Sequence, residues 1–374
     1  MDINLRWHRK NSYSLATLYP LLENADFVRH PVDGIMVYSF STAQKRNIFR
    51  EVSSSNTDSV YIAGGPHPSG SVEETLGFFD YVVIGEGEET LPELVDTLQM
   101  GGDISKVAGI AYKKEGNIVY TAARQPVNLD DYPCFDCDGP RSPIEISRGC
   151  PWNCKYCQTP RLLGHKMRHR SIDSIVRYAR CYNDLRFTSS NAFAYGSDGI
   201  HPRPDKVEKL LASLAELEGK NIYFGTFPSE VRPEFVSEDA LELVDKYCTN
   251  KSISLGGQSG SDRILRQIRR GHSSEDIFNA VEHCVDKDIV PMVDFIFGFP
   301  GENEEDQRIT LDMINWIISK GGKVRAHYLT PLPSTPYGNI VPAPIEPDVN
   351  KLLGKLALDG KLTGKWAQFL YARW

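Results

Sequence analysis

Short apolar runs that end in glycine or serine recur along most of the 374-residue chain. In its first third these runs span residues 34–39, 59–63 and 81–84, and helix-compatible sequence follows each of them. Continuous apolar strands separated by helices are typical of a parallel sheet covered on both faces. The sequence therefore predicts an α/β fold that begins with a Rossmann-like domain, and ligands of such a sheet bind at the carboxyl ends of its strands.

A second series of alternating strand and helix signals begins near residue 143. Its candidate strands are residues 144–147, 185–189, 222–227, 252–256, 292–299 and 324–328. The clearest helix covers 207–217, where apolar residues recur at i, i+3, i+4 and i+7. Six such units predict an incomplete, (βα)6 version of the eight-unit barrel, with its chemistry at the carboxyl ends of the strands.

Proline and polar residues mark the predicted domain boundaries. We predict a first domain over 1–125, a linker over 126–142 where no strand or helix period survives, and a barrel domain over 143–330. Residues 331–374 form a short C-terminal extension, broken by prolines at first and helical from about Asp348.

Charge and hydropathy exclude several function classes. Lys plus Arg number 42 and Asp plus Glu 49, which gives a net charge of −7. Binding to nucleic acid through phosphates favours a basic surface, so nucleic acid is not an expected partner. A membrane helix needs about 18–20 apolar residues in a row, and the sequence holds no such run, so we expect no membrane partner. The first eight residues are too polar for a signal peptide. We therefore predict a cytoplasmic protein whose thiols stay reduced.

Three of the eight cysteines, Cys150, Cys154 and Cys157, fall within eight residues, directly after the first barrel strand. Three thiolates on one loop can hold three irons of a 4Fe–4S cube and leave the fourth iron open. A structural zinc site normally has four protein ligands, and no fourth Cys or His lies close in sequence. The spacing thus favours an iron–sulfur cluster. The Cys134–Cys137 pair lacks further ligands, and Cys181, Cys248 and Cys284 are expected to be core residues.

The segment 147–157 resembles the cluster motif of radical S-adenosylmethionine (SAM) enzymes, with Tyr156 as the aromatic residue before the third cysteine. The resemblance implies that the open iron binds the amino and carboxylate groups of SAM, and that one-electron reduction yields a 5′-deoxyadenosyl radical. It also places Tyr156 beside the adenine.

The resemblance extends over the barrel, about residues 143–330, and implies further SAM contacts at the strand ends. These are Ser189, Asn191, Ser229, Glu230, Arg232 and Gln258. The first two would serve the methionine amino group, and the loop 226–233 the ribose and carboxylate. The segment 295–302 resembles the one that flanks the adenine. A purely structural role is the alternative for each residue. Ser189 and Asn191 would then cap a helix, Glu230 and Arg232 would form a surface ion pair, and Gln258 would shape its loop.

The strand ends of the first domain resemble those of cobalamin-binding domains. The residues that carry this likeness are Ser39, Ser41, Thr42, Gly64, Gly65, Gly85, Glu86, Gly87 and Glu88. The likeness implies that the first loop lines a slot for the nucleotide tail and that the paired glycines admit the tail closely. A Rossmann-like domain that binds nothing is the alternative. Classical cobalamin domains have an Asp-x-His-x-x-Gly element whose histidine is an axial cobalt ligand. At the end of the first predicted strand of this chain, only the histidine of that element is present, as His8. We predict no cobalt bond from His8, because the flanking Asp that would orient its ring is missing.

Together these resemblances imply a cobalamin-dependent radical SAM methyltransferase. In such enzymes cob(I)alamin takes a methyl group from one SAM, and a second SAM is cleaved with an electron from an external one-electron reductant. The adenosyl radical then activates an sp3 carbon, which accepts the methyl group. The cofactors supply this chemistry, and the protein positions the reactants and excludes water.

Overall, the chain resembles methanogen enzymes that C-methylate a glutamine of methyl-coenzyme M reductase, which implies a protein or peptide substrate. Tyr328, at the end of the last strand, is the candidate substrate contact. Two alternatives remain. One is a cobalamin-dependent radical cyclase or rearrangement enzyme that acts on a small molecule. The other is a methylthiotransferase-like enzyme, although that class usually carries a second cluster and a C-terminal RNA-binding β domain.

The cysteine cluster generates the first testable prediction. Anaerobic reconstitution should give about four irons and four sulfides per chain, as expected for a cubane held by thiolates. Replacing Cys150, Cys154 and Cys157 together by alanine should abolish both the cluster and 5′-deoxyadenosine formation, read by iron analysis and chromatography. A full cluster in the triple variant would contradict the assignment.

Overall fold

The computed structural model describes residues 1–8 and 12–367, which divide into two compact units. The first unit comprises residues 1–143, 158–164 and 332–335, and the second comprises 144–157, 165–331 and the chain from 336 onward. The stretch that the sequence marks as a linker thus belongs to the first unit. Two short segments, 158–164 and 332–335, also belong to it, although the sequence assigned them to the barrel and the extension.

The first unit is an α/β sheet domain. Its strands are β1 (Ile3–Arg6), β2 (Ala25–Val28), β3 (Gly34–Ser39), β4 (Ser59–Gly64), β5 (Tyr81–Val83), β6 (Ile110–Lys114) and β7 (Asn117–Tyr120). Its helices are α1 (Ser12–Leu18), α2 (Lys45–Ser53), α3 (Pro66–Gly70), α4 (Val72–Thr75), α5 (Thr90–Met100) and α6 (Thr159–Leu163).

These strands form one sheet in the order β2-β1-β3-β4-β5-β6-β7. The strands from β2 to β5 are parallel to their neighbours, whereas β6 and β7 add an antiparallel hairpin at one edge. The parallel sheet was predicted. The hairpin was not, because its strands carry exposed polar residues, such as Lys113 and Lys114, and give no continuous apolar run.

Strand β3 shows why the central strands are apolar on both faces. Ile35 and Val37 belong to one buried cluster, and Met36 and Tyr38 belong to another. Because successive side chains of a strand point to opposite faces, both faces of this sheet are covered. The polar residues that follow β3 and β4 are therefore left at the carboxyl edge of the sheet.

The second unit carries the barrel strands. They are β8 (Ile144–Glu145), β9 (Ser147–Arg148), β10 (Arg168–His169), β11 (Asp184–Thr188), β12 (Asn221–Tyr223), β13 (Ser252–Gln258), β14 (Val290–Phe297), β15 (Lys323–Tyr328) and β16 (Leu362–Lys365). The helices are α7 (Ile172–Ala179), α8 (Pro204–Ala215), α9 (Glu238–Tyr247), α10 (Asp262–Gln267), α11 (Ser274–Asp286), α12 (Glu304–Ser319) and α13 (Pro347–Leu358).

The six predicted barrel strands are β8 and β11 to β15, and they pair in parallel within two sheets, β12-β11-β8 and β13-β14-β15-β16. The expectation of a purely helical extension is wrong, because β16 follows α13 and pairs in parallel with β15. Leu362 is the buried residue of β16 and its other residues are exposed, so the sequence carries no strand pattern there.

Strand β14 has one fully apolar face, and its one charged residue, Asp294, lies on the other. Val293, Phe295 and Phe297 are fully buried. A Cβ atom placed on Gly257 of β13 would contact both Val293 and Ile277 of α11, so this face packs against the helical layer.

The expectation of reduced thiols is wrong at two positions. Cys137 and Cys181 are disulfide-bonded, whereas the three cysteines of the predicted cluster form no disulfide. Cys181 is therefore not a plain core thiol.

The described helices include none that is both long and apolar enough to cross a bilayer.

Candidate functional site

The loop from Cys150 to Cys157 is held in place by hydrogen bonds from other strand-end loops. The Ser190 hydroxyl donates to the Gly149 carbonyl at 2.7 Å, and the Trp152 indole donates to the Gly199 carbonyl at 2.9 Å. The backbone N–H of Lys155 donates to the Ile268 carbonyl at 3.0 Å. The three cysteines thus lie on a rigid loop, which a preformed metal-cluster site needs.

The three thiols lie close to one another. Burial raises the pKa of the Cys150 thiol, and its neighbours Cys157 and Cys154 raise it further, while the Trp152 backbone N–H and Arg232 oppose them. Within residues 1–8 and 12–367, no group of three or more His, Cys, Asp or Glu side chains is placed to hold a single metal ion. In a cubane, each of the three cysteine thiolates would bind a different iron.

Two arginines flank the cysteine loop. Arg270 directs Nη1 at the Cys154 sulfur, 4.0 Å away, and donates from Nη2 to the Gly256 carbonyl at 2.9 Å. The Arg232 guanidinium lies over the Trp152 ring, 4.0 Å from its centroid. Arg232 also donates to the Arg270 carbonyl, so the two arginines belong to one network.

One carboxylate compensates these two cations among the described residues. Arg232 Nε donates to Glu234 at 2.5 Å, and His272 lies 3.5 Å from the same carboxylate. Burial acts to raise the pKa of Glu234, but His272 and Arg232 together lower it to about 2. Burial lowers the pKa of His272, which favours its neutral form. The network therefore carries excess positive charge, and a buried excess charge needs a counter-ion.

Several buried polar atoms near this network have no hydrogen-bond partner within the described chain. They are Asn191 Nδ2, Thr226 Oγ1, Ser229 Oγ and Arg232 Nη1. Asn191 and Arg232 are linked through a 3.4 Å bond from the Arg232 N–H to Asn191 Oδ1. Buried polar groups are nearly always paired, so these donors and hydroxyls are suited to a bound ligand that offers a carboxylate and hydroxyl groups.

Other sequence-predicted contacts serve the loops themselves. The Ser189 hydroxyl donates to the Asn191 carbonyl at 3.0 Å and accepts from its N–H at 3.2 Å, which shapes the turn. Gln258 adopts a left-handed backbone, φ 71°, and its amide group lies over Gly256.

Glu230 requires a correction, because its carboxylate accepts from Arg325 Nη2 at 2.9 Å. Arg325 also binds Asp294, its register partner on β14. A carboxylate so engaged is not one of the unpartnered groups, although the neighbouring Ser229 and Arg232 are. Burial raises the pKa of Asp294, and the charge of Glu230 raises it further.

The aromatic residue of the cysteine motif packs against the segment 295–302. The Tyr156 ring contacts the Phe299 ring, with centroids 5.6 Å apart. Phe299 belongs to the segment 295–302, so the two elements expected near an adenine come together.

Tyr328 is engaged differently from the expectation. Its hydroxyl donates to the Ala343 carbonyl at 3.0 Å, and its ring lies against Gly298, where a Cβ atom would clash with it. The structure therefore gives Tyr328 a packing role that holds the segment around Ala343.

In the first unit, several predicted side chains build the strand-end loops. Ser41 and Gln44 form a capping box, and the Thr42 hydroxyl lies 3.2 Å from His67 Nδ1. Glu86 accepts from the Val127 N–H at 2.9 Å. Glu88 is buried. These contacts help to fix the strand-end loops, and the predicted cobalamin contacts of these residues stay predictions.

The glycines and Ser39 remain at the strand ends. Gly65 and Gly85 have positive φ angles of 91° and 80°. A Cβ atom on Gly65 would lie 2.7 Å from Ser39 Oγ, and one on Gly87 would lie 3.3 Å from Leu18. On Gly64 the nearest atom would be 3.8 Å away, which leaves room. His8 is exposed and lies two residues beyond β1.

Sequence reasoning missed Trp152, Thr226, Glu234, Arg270 and His272. Trp152 lies inside the cysteine motif and Thr226 inside a quoted strand-end segment, so both had a positional signal. Arg270 and His272 follow α10, in a run of basic residues that is typical of a solvent-exposed helix end. Nothing in the sequence shows that this run turns inward.

Residues 144–314 match the family model of the radical SAM superfamily. This segment is therefore similar to the radical SAM domains of that superfamily. The cofactors of that superfamily are a 4Fe–4S cluster and SAM, and the free thiols and unpartnered donors described above fit them.

The sequences of some known proteins match longer parts of the chain. A Methanocaldococcus jannaschii protein that carries a methylthiotransferase name is 28% identical over 301 residues, which are 76% of this chain and 63% of that protein. The tRNA-2-methylthio-N(6)-dimethylallyladenosine synthase of Aquifex aeolicus is 29% identical over 255 residues, 66% of this chain and 53% of the relative. The chain thus spans between half and two thirds of the length of these relatives.

Solved structures that share the fold include the following one. It is the radical SAM methyltransferase TsrM from Kitasatospora setae, with cobalamin and a 4Fe–4S cluster bound. The TM-score is 0.68 at 18% identity, over 90% of this chain and 77% of that one. This similarity confirms the predicted α/β fold.

Glu302, at the end of the radical SAM motif segment, generates a pH prediction. One oxygen accepts from the Gly298 N–H at 2.6 Å, the other is buried without a partner, and burial raises the pKa to about 8. The folded protein therefore keeps a proton that the unfolded chain releases above its lower carboxyl pKa. Stability should fall as pH rises from about 4.5 to 8, by up to ~1 kcal/mol per pH unit.

Urea denaturation between pH 5 and 8 tests this prediction. Glu302→Gln should flatten the decline, because it removes the titrating proton. Glu305→Gln, an exposed carboxylate on α12, should keep the wild-type slope. Equal slopes in wild type and Glu302→Gln would show that other groups control the pH dependence.

Proposed function

We propose that this chain is a cobalamin-dependent radical SAM methyltransferase that methylates an unactivated sp3 carbon. The observation that carries the proposal is a radical SAM domain joined, in one chain, to a parallel-sheet unit whose strand ends present Ser39 and paired glycines. The fold shared with TsrM, which binds cobalamin, supports it.

The residues at the carboxyl edge of the first sheet fit a cobalamin tail. Gly64 leaves space above the end of β4, and Gly65 turns the chain with a φ that side chains rarely adopt. The loop after β3 is fixed by the Ser41 capping box and by the Thr42–His67 contact, both largely buried. A preformed, glycine-lined edge admits an extended polar tail without reorganisation.

Cobalamin, when bound, supplies the methyl group, and SAM at the cluster supplies the radical. The chain's own residues bind and orient. Cys150, Cys154 and Cys157 hold the cluster, and Tyr156 with Phe299 forms an aromatic wall for the adenine. The unpartnered donors of Asn191 and Arg232 serve the carboxylate of SAM, and the hydroxyls of Thr226 and Ser229 its ribose.

We propose a protein or peptide substrate, specifically a glutamine of methyl-coenzyme M reductase. The net charge of −7 supports a substrate other than nucleic acid. Charged residues on one face of β14 and β15 offer contacts for a peptide. Asp294 and Arg325 lie there with Glu230, and the exposed Phe227 ring lies 5.8 Å from the Arg325 guanidinium. A barrel face used only for packing would be apolar.

A methylthiotransferase is the second candidate, because two relatives that are 28% and 29% identical to this chain have names that refer to methylthio transfer or methylthio products. It predicts a product that gains sulfur as well as carbon. The two candidates therefore differ in the mass of the product, whichever substrate is used.

Gly64 provides a test of the cobalamin site. Gly64→Ala places its Cβ in open space within the protein, so the fold should persist, whereas a tail lying on Gly64 would be displaced. Overpacking costs about 1–3 kcal/mol, so hydroxocobalamin should bind about tenfold more weakly, as measured by absorbance titration.

Two further variants interpret that result. Gly354→Ala, on α13 with no atom near the new Cβ, should bind cobalamin as the wild type does. Gly65→Ala should lower the thermal midpoint of the apoprotein, because its Cβ would meet Ser39 and Phe40. Unchanged affinity in Gly64→Ala would show that the tail lies elsewhere.

The substrate prediction concerns stoichiometry and product. With a peptide that carries the candidate glutamine, each methylation should consume two SAM and release one S-adenosylhomocysteine and one 5′-deoxyadenosine. Mass spectrometry should place one added methylene on the glutamine, and a peptide with alanine there should stay unmodified.

Three other outcomes are informative. A methylthio gain would favour the second candidate. Methylation of a small molecule or RNA, with only uncoupled 5′-deoxyadenosine from the peptide, would overturn the peptide assignment. Absence of S-adenosylhomocysteine with any substrate would overturn methyl transfer itself.

A further inference from the structure

The connection between α10 and α11 forms a wall of the cysteine loop. The Ile268 carbonyl accepts from the Lys155 N–H, and Gly271, with φ 87°, lies so close to the Trp152 ring that a Cβ atom would clash with it. Arg270 lies between these two contacts. Its backbone is therefore fixed against the loop on both sides.

The Arg270 side chain is fixed as well. Nη2 is anchored on the Gly256 carbonyl, which leaves Nη1 directed at the Cys154 sulfur, and Nε is buried without a partner. A Cβ atom on Gly256 would lie 2.8 Å from Nη2, so glycine at that position is what admits the guanidinium. Burying a charged group with an unpartnered N–H costs free energy, and packing alone does not offset that cost.

The charges around Arg270 also indicate that it does more than pack. Arg270 and Arg232 are neighbours, and Glu234 pairs directly with Arg232 rather than with Arg270. Among the described residues, the group that the free face of Arg270 meets is the Cys154 sulfur, which becomes a thiolate when it binds iron.

We propose that Arg270 sets the reduction potential of the cluster by holding a positive charge and a hydrogen-bond donor against the Cys154 ligand. The inference rests on the proposed function only in that Cys150, Cys154 and Cys157 hold a 4Fe–4S cluster. Reduction adds one electron, taken from an external one-electron reductant, and no bond to Arg270 forms or breaks. A nearby cation and a donor to sulfur both stabilise the more negative, reduced cluster, so they raise its potential.

Arg270 is a positioning residue, and its test measures potential rather than activity. Reconstituted wild type, Arg270→Gln, Arg270→Lys and Arg266→Gln would be titrated with dithionite and redox mediators without SAM, with the reduced cluster read by electron paramagnetic resonance. At a fixed potential, Arg270→Gln should lower the ratio of reduced to oxidised cluster at least about tenfold, a shift of about 59 mV. Arg270→Lys should restore most of the loss, since it keeps the charge.

Arg266→Gln is the matched control. It removes the same charge from an exposed site on α10, four residues before Arg270, and should leave the potential unchanged. If Arg270→Gln holds no cluster, Gly256→Ala serves instead, because its Cβ would displace the guanidinium while keeping its charge in the protein. It should lower the potential in the same direction by a smaller amount.

A fully loaded Arg270→Gln, or Gly256→Ala in its place, with the wild-type potential would overturn the proposal. So would a shift of equal size in Arg266→Gln. Neither outcome depends on cobalamin, substrate or methyl transfer, so a failure of this inference is distinguishable from a failure of the proposed function.

Discussion

The buried excess of positive charge beside the cysteine loop is the constraint on which the rest of the site depends. Arg232 and Arg270 share one network with the single carboxylate of Glu234, and a buried unbalanced charge is strongly unfavourable. In the proposed function, thiolates bound to iron and the carboxylate of SAM would supply the missing negative charge. The chain thus holds a site whose electrostatics are complete only when it is loaded, and the unpartnered atoms nearby agree with this.

Glycine makes such close packing possible at two points of the radical SAM domain. Gly256 gives room to the Arg270 guanidinium, and Gly271 gives room to the Trp152 ring. Both residues lie on elements that carry no cluster ligand, which shows that the surrounding strands and loops, rather than the cysteine loop alone, determine the environment of the metal. A motif of three cysteines therefore defines the cofactor, while its electronic properties depend on residues more than a hundred positions away.

Much of the architecture could be predicted from sequence. The apolar runs located the parallel strands of both units, because buried strands leave a continuous signal, and the cysteine spacing located the cluster loop. The sequence did not predict the features that lack a periodic pattern. The β6–β7 hairpin and β16 are polar edge elements. Glu230 was assigned to SAM because it sits between Ser229 and Arg232, but Arg325 on a distant strand binds it. Tyr328 likewise hydrogen-bonds a carbonyl that only the folded extension brings near.

The pairing of β16 with β15 has a further consequence. Without it, β15 would be an edge strand, with a row of unpaired backbone N–H and C=O groups that could bind the same strand of another molecule. Gly364 approaches the Ala326 carbonyl so closely that no side chain could fit there. Residues that look dispensable in the sequence, a short polar stretch after the last helix, thus act as a shield against self-association. Shortening the chain before Leu362 would replace a short, polar edge strand by the longer β15 and so favour aggregation.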